Sequence, residues 1–231
     1  MKVGEVLKQL KKFGTAQNRK VYARHGIVGD VYGVSFANLN QLKRQIKVNH
    51  DLALALWDSG NADARHLATM IVDVEQFTEK QLDRWIRGVS YHGLTGLLAD
   101  VIARTSFAQK KTEQWICSPQ KWKSRAAWET VAYLAVKRED IPQDFFERRL
   151  LEIEKTIHHS PNFTKHSMNG ALIAIGLRNE KLEKLAKTAA ERIGKVVVDH
   201  GETCCKTPDA IAYIEKAKLH LSKKKNKKLS D

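Results

Sequence analysis

The chain has 231 residues, 42% of them hydrophobic and 29% charged, and 40 Lys and Arg against 26 Asp and Glu leave a formal charge of +14. This length buries enough apolar surface to hold a core without disulfide staples. No apolar run approaches the roughly 18 residues that a membrane-spanning helix needs, so the sequence reads as a soluble protein rather than a membrane one.

Helical spacing begins at once. The N-terminus MKVGEVLKQLKKFG alternates charged and apolar residues and has no continuous apolar core, unlike a signal peptide, and the protein is expected in the cytoplasm. Helices are predicted at about 3 to 12, 15 to 25, 36 to 47, 50 to 58, 61 to 71, 78 to 87, 90 to 104, 107 to 117, 121 to 137, 143 to 157, 161 to 176, 179 to 193 and 207 to 221. No proline falls in the interior of these segments, Pro119 and Pro142 standing between them and Pro161 and Pro208 in first turns, and β-branched alternation is scarce. Ser35, Asn49, Asn61, Thr78, Ser106 and Ser160 stand where N-caps belong, and Gln81 three residues after Thr78 predicts a capping box. Thr207 is the expected cap of the last helix, with Pro208 in its first turn.

Short helices with brief connections pack as antiparallel pairs, and pairs recurring every 35 to 45 residues or so stack into a solenoid of the HEAT or armadillo kind. The Ala-rich stretches Asn61 to Ile71, Gln120 to Lys137 and Lys165 to Gly176 fit such stacking, because small residues let helices approach closely. A compact helical bundle satisfies the same periodicity. The fold class is therefore all-α.

Charge is uneven along the chain. Residues 1–50 hold ten Lys and Arg against two acids, residues 51–200 hold 22 against 20, and residues 201–231 hold eight against four. Basic ends suit a phosphate backbone, where each neutralised phosphate releases a counterion. Solubility and a Lys-rich tail account for the same numbers.

Three strings carry a resemblance: VYGVSFANLNQLKRQIK (Val31 to Lys47), the Trp-x-x-Arg-Ala-Ala of Trp122 to Ala127, and IHHSPNFTKHSMNGALIAIG (Ile157 to Gly176). Together, in this order over roughly residues 5 to 195, they resemble the DNA alkylation repair family, which contains the AlkD-type alkylpurine DNA glycosylases. The resemblance implies one domain over residues 1–221, a right-handed superhelical solenoid of antiparallel HEAT-like repeats curved into a C-shape whose basic concave face takes double-stranded DNA. Residues 195–221 would form an atypical C-terminal cap, and 222–231 a basic tail that composition marks as disordered. It also implies hydrolysis of the N-glycosidic bond of N3- and N7-alkylated purines in base excision repair, without metal or cofactor and without flipping the lesion.

Within the resemblance, Arg125 takes the place of the family's phosphate-contacting Arg, and Lys121 and Lys123 extend the contact. Lys165 and the Lys43, Arg44 and Lys47 cluster complete the expected DNA-binding set. Ala127, Val131 and Leu134 share the opposite, core face. Glu129, at i+4 from Arg125, offers a different account, a plain ion pair.

The catalytic segment departs from the family. Where the glycosylases carry Trp-Asp-x-x-Asp, this chain has RGVSYHGLTGLLAD (Arg87 to Asp100), with Gly93 and Gly96 at the carboxylate positions, and Gly170 stands where a DNA-facing Trp is usual. A carboxylate there stabilises the oxocarbenium ion that forms as the base leaves, and glycine offers no such charge. The catalytic residue is thus unknown, with Tyr91, His92 and Asp100 as the replacement candidates. Asp100 lies about 6 Å along the helix axis beyond Gly96.

Other constellations are weaker. His158, His159 and His166 do not complete a metal set, because Pro161 interrupts their helix. Cys117, Cys204 and Cys205 fit neither a zinc spacing nor a disulfide framework and are expected as reduced thiols. Asp199, Glu202 and Cys205 could gather into a small polar site of unspecified chemistry. Three functional readings stay open: a nonenzymatic module for intact or damaged duplex DNA, an active alkylpurine glycosylase with a rearranged site, and a HEAT-like protein-interaction scaffold.

Overall fold

The computed structural model describes residues 1–201, 203 and 205–230, the last seven in backbone alone. Among the described residues there are thirteen α-helices, one 3-10 turn and no strand. The helices are α1 (Val3–Phe13), α2 (Ala16–Arg24), α3 (Phe36–Ile46), α4 (His50–Asp58), α5 (Ala62–Ile71), α6 (Glu79–Arg87), α7 (His92–Ala103), α8 (Ala108–Trp115), α9 (Lys121–Lys137), α10 (Gln143–Thr156), α11 (Asn162–Gly176), α12 (Glu180–Ile193) and α13 (Ala210–Ser230), with the 3-10 turn at Ile157–His159.

Capping chemistry sets most of the starts. Ser35, Asn49 and Asn61 each accept from the backbone N–H three residues on, and Thr78 and Gln81 close the expected capping box. Thr15 and Asn179 do the same for α2 and α12, although the sequence reading did not single them out. Three expectations are corrected. Ser160 donates its hydroxyl back to the Thr156 carbonyl, and Pro161 is the N-cap of α11. α8 begins at Ala108, too late for Ser106 to cap it. α13 begins at Ala210, where the Asp209 carboxylate, not the Thr207 hydroxyl, accepts from the Ala212 N–H at 2.8 Å, and it runs past residue 221 to Ser230.

The chain groups into two compact units, Met1–Lys111 and Thr112 onward. In the first, α4 and α5 form an antiparallel pair that packs on α1, α3 and α7. Trp57 stacks on Trp85 at 4.2 Å between centroids and nearly parallel, with the edge of Phe77 against Trp85. This aromatic layer joins α4 to α6. Asp63, fully buried in α5, accepts from the N–H groups of Tyr32 (2.6 Å), Gly33 (3.0 Å) and Val34 (2.9 Å). Burial raises its pKa, while the three hydrogen bonds oppose that rise. Gly33 has φ 80°, and a Cβ there would stand 2.6 Å from the Thr15 carbonyl oxygen, so the clamp requires glycine. The clamped segment supports α2, a helix with no buried residue, through Asn18 to the Gly33 carbonyl, Arg19 to the Tyr32 carbonyl and Tyr22 to the Val34 carbonyl.

In the second unit α9 and α11 pack along their length, and α10, α12 and α13 cover α11. Trp128, Phe145 and Phe146 fill the core. Arg178 closes the C-terminal end of α9 by donating to the carbonyls of Ala135 (2.9 Å) and Ile141 (3.2 Å). No described helix is long and apolar enough to cross a membrane.

Candidate nucleic-acid interface

The α9 stretch WKSRAAWETVAYL poses a problem of burial, since it sets an Arg beside two alanines. The structure places Arg125 at 5% exposure, with Ala126, Ala127, Val131 and Leu134 buried around it. A buried guanidinium needs partners. Arg125 Nη2 meets Glu129 Oε1 at 2.6 Å, Nη1 donates to the Phe163 carbonyl at 2.8 Å, and the guanidinium carbon lies 5.8 Å from the Phe163 ring centre. Arg125, the expected phosphate contact, bolts α9 to the first turn of α11.

The surface beside this bolt is aromatic and basic. Trp122 and Phe163 tilt against each other at 5.5 Å, and Lys121 Nζ stands 4.4 Å from the Trp122 ring centre and 5.6 Å from that of Phe163. Lys121 is exposed, and Lys123 and Lys165 are half-buried. None of the three forms an ion pair among the described residues. The first turns of α9 and α11 hold no acid. A cation there opposes the helix macrodipole by about 0.3–1 kcal/mol, so these lysines do not serve the stability of their own helices. First turns without a side-chain cap and the lysines together favour an anion at this edge. Trp122 and Phe163 both lie in the quoted motifs, but neither was singled out as a site residue. The position of Phe163 two residues before Lys165, an aromatic beside a cation, was the available signal.

In the first unit Lys43, Arg44 and Lys47 are all exposed at the C-terminal end of α3. Lys43 and Arg44 favour the negative end of the helix dipole. Lys47 has φ 62° and ψ −142°, the single described non-glycine residue with positive φ, which is a strained backbone for a side chain to keep.

The replacement candidates of the catalytic segment are turned inward or paired. Tyr91, the N-cap of α7, is 4% exposed and its hydroxyl bonds the His66 imidazole, so it presents no surface aromatic. Burial pushes its phenol pKa up and lowers that of His66 to about 4, leaving a neutral imidazole at pH 7. His92 is half-buried with its ring 5.9 Å from that of His25. Asp100 pairs with Arg104 at 3.4 Å one turn on. Gly93 is exposed, and a Cβ there would meet the Tyr91 ring at 3.1 Å. Gly170 is also exposed, in the middle of α11, with nothing within 4 Å of a Cβ, so packing does not demand a glycine there.

Elsewhere, His158 bonds the Ile193 carbonyl, and His166 lies against the His200 ring at 5.2 Å. No group of three or more metal-ligating side chains forms among the described residues. Cys117 and Cys205 are exposed free thiols, while Cys204 and Glu202, and with Glu202 the suggested polar site, lie outside the described residues.

The chain belongs to the DNA alkylation repair enzyme family, whose model matches residues 6–212. It is 31% identical over 205 residues to the uncharacterised proteins Lin0241 of Listeria innocua and Lmo0209 of Listeria monocytogenes, covering 86% of this chain and 89% of each relative. A solved structure, described as a new family of proteins related to the HEAT-like repeat DNA glycosylases with affinity for branched DNA structures, superposes with a TM-score of 0.87 at 29% identity over 94% of this chain and 93% of its own. The fold is that of the HEAT-like repeat DNA glycosylases and their relatives.

Proposed function

We propose that this protein binds double-stranded DNA at branched or bent sites and does not excise bases. The observation that carries the reading is a pair of opposite features. Lys43, Arg44 and Lys47 in one unit and Lys121, Lys123 and Lys165 in the other form no ion pair among the described residues. The carboxylate positions of the glycosylase segment are glycines. Phosphate contacts give affinity without sequence preference, and glycine supplies no charge to a developing oxocarbenium ion. Arg125 acts through position, holding Phe163 and the first turn of α11 beneath Lys121. The affinity for branched DNA described for the structural relative at 29% identity supports the choice of ligand.

The test is a titration into a four-way junction and its linear twin at two salt concentrations, with a parallel assay for base release from a duplex holding one N7-methylguanine. Tighter junction binding without release above the spontaneous rate is expected. Enzymatic release would restore the glycosylase reading, and no binding to either DNA would leave the protein-interaction scaffold.

A further inference from the structure

α13 carries two apolar faces where a surface helix needs one. Ala210 and Ile214 are buried where it packs on α11 and α12. Tyr213, Lys216, Ala217, His220 and Leu221, at the i, i+3, i+4, i+7, i+8 spacing of a second face, line an open groove of about 1010 Å³ within the second unit. Its far wall is the end of α9, with Val136 and Glu139. Val136, Tyr213 and Leu221 each expose half or more of their surface, and every residue from Leu219 to Lys223 is exposed. A helical segment of about a dozen residues without packing is marginal in water, so the distal half of α13 gains from a cover. Apolar burial is what such a face rewards, and a phosphate backbone has none to bring.

The charges on the two walls indicate what the cover is. Glu139 on the α9 wall and Lys216 on the α13 wall are exposed and form no ion pair among the described residues. Arg178, a third charge in the lining, already donates to the carbonyls of Ala135 and Ile141. The occupant therefore has to bring an apolar stripe, a cation opposite Glu139 and an anion opposite Lys216. A second copy of the chain brings all three. In a two-fold interface each contact occurs twice with the roles exchanged, so Lys216 of either copy faces Glu139 of the other. An acidic helix or a nucleic acid would satisfy Lys216 but meet Glu139 as a like charge.

We propose that this groove is the face through which two copies of the chain dimerise, the two α13 helices packing antiparallel across it. Antiparallel packing also keeps apart the two lysine runs that follow Ser222 in the sequence. The cationic edge at Lys121 lies at the other end of α9, whose 17 residues span about 25 Å, so dimerisation leaves that edge free. The proposal stands or falls without the DNA reading.

The experiment is sedimentation equilibrium of the nuclease-treated full chain across micromolar concentrations. The mass is expected to rise from 26.2 kDa toward twice that value. Val136→Glu and Leu221→Glu, both at exposed positions, should weaken association about tenfold or more, the scale of one interface anchor, and leave the circular dichroism spectrum and melting temperature unchanged. Glu139→Lys and Lys216→Glu should each stay monomeric alone yet associate when mixed, because the mixed pair restores opposite charges at both contacts. A mass of 26.2 kDa at every concentration overturns the proposal. A mass that rises only when nucleic acid is present means that DNA bridges the copies, and overturns it equally. Dimers that survive Val136→Glu and Leu221→Glu, or charge variants that associate as well alone as mixed, put the contact elsewhere and overturn it too.

Discussion

The first fifty residues and the 150 that follow use charge in opposite ways. All ten Lys and Arg of residues 1–50 are exposed, and none forms an ion pair among the described residues. In residues 51–200 cations are repeatedly tied to acids: Arg84 to Asp58, Lys111 to Glu79 and Asp83, Arg125 to Glu129, Arg149 to Glu152. A balanced region can satisfy its charges internally, whereas a region with two acids keeps an unbalanced field that small counterions or an external polyanion neutralise. Lys121, Lys123 and Lys165 form no ion pair among the described residues, as is true also of exposed Lys80, Arg87, Lys155, Lys184 and Lys195, but these three fall at the aromatic edge.

The largest effect that can break this division is at Arg125. Arg125→Ala strands Glu129 in the interior and should cost about 3 kcal/mol in chemical denaturation, as loss of one partner of a buried pair does. Arg125→Ala/Glu129→Gln should recover part of it. The salt slope of DNA binding should stay unchanged, and a slope lower by about one unit would put Arg125 on a phosphate instead.

Acid should act on the interior through His66. Its pKa is lowered to about 4 from an ordinary 6.5, so below 6.5 the unfolded chain takes up a proton that the folded chain refuses. Stability therefore falls as pH drops from about 6.5 to 4, by up to about 3 kcal/mol, and urea titrations of His66→Gln should show a flatter pH dependence there.

On the unpaired side, Lys43→Ala should leave stability within about 0.5 kcal/mol, yet lower the slope of log affinity against log salt by about 0.9 if it neutralises one phosphate. Lys123→Ala should behave alike.

The smallest effects concern backbone. Gly170→Ala, where a Cβ meets open space in mid-helix, should stabilise by about 0.5–1 kcal/mol. Lys47→Gly should relieve a positive φ and raise the melting temperature slightly, while still losing one salt-slope unit.

Helices and most caps were legible in the sequence because apolar spacing and cap chemistry are local. Ser160 and Thr207 misled because a neighbouring residue, Pro161 or Asp209, took the position that the hydroxyl suited equally well. The site was less legible, since burial is a long-range property. Nothing near Arg125 announces that the Phe163 carbonyl, 38 residues on, completes its shell, although Glu129 at i+4 was visible. Tyr91 at a helix start reads as a half-buried packing residue or as a replacement aromatic, and the bond of its hydroxyl to His66, 25 residues earlier, is what the sequence does not announce. The glycines at 93, 96 and 170 were readable directly, because an absent side chain needs no fold to interpret it.

The most direct measurement is the salt dependence of junction binding for the wild type and for a variant with Lys43, Arg44, Lys47, Lys121, Lys123 and Lys165 all changed to Ala. The account predicts a variant that folds as the wild type does, with a slope shallower by about five units at roughly 0.9 per phosphate contact. A folded variant with the wild-type slope would contradict it.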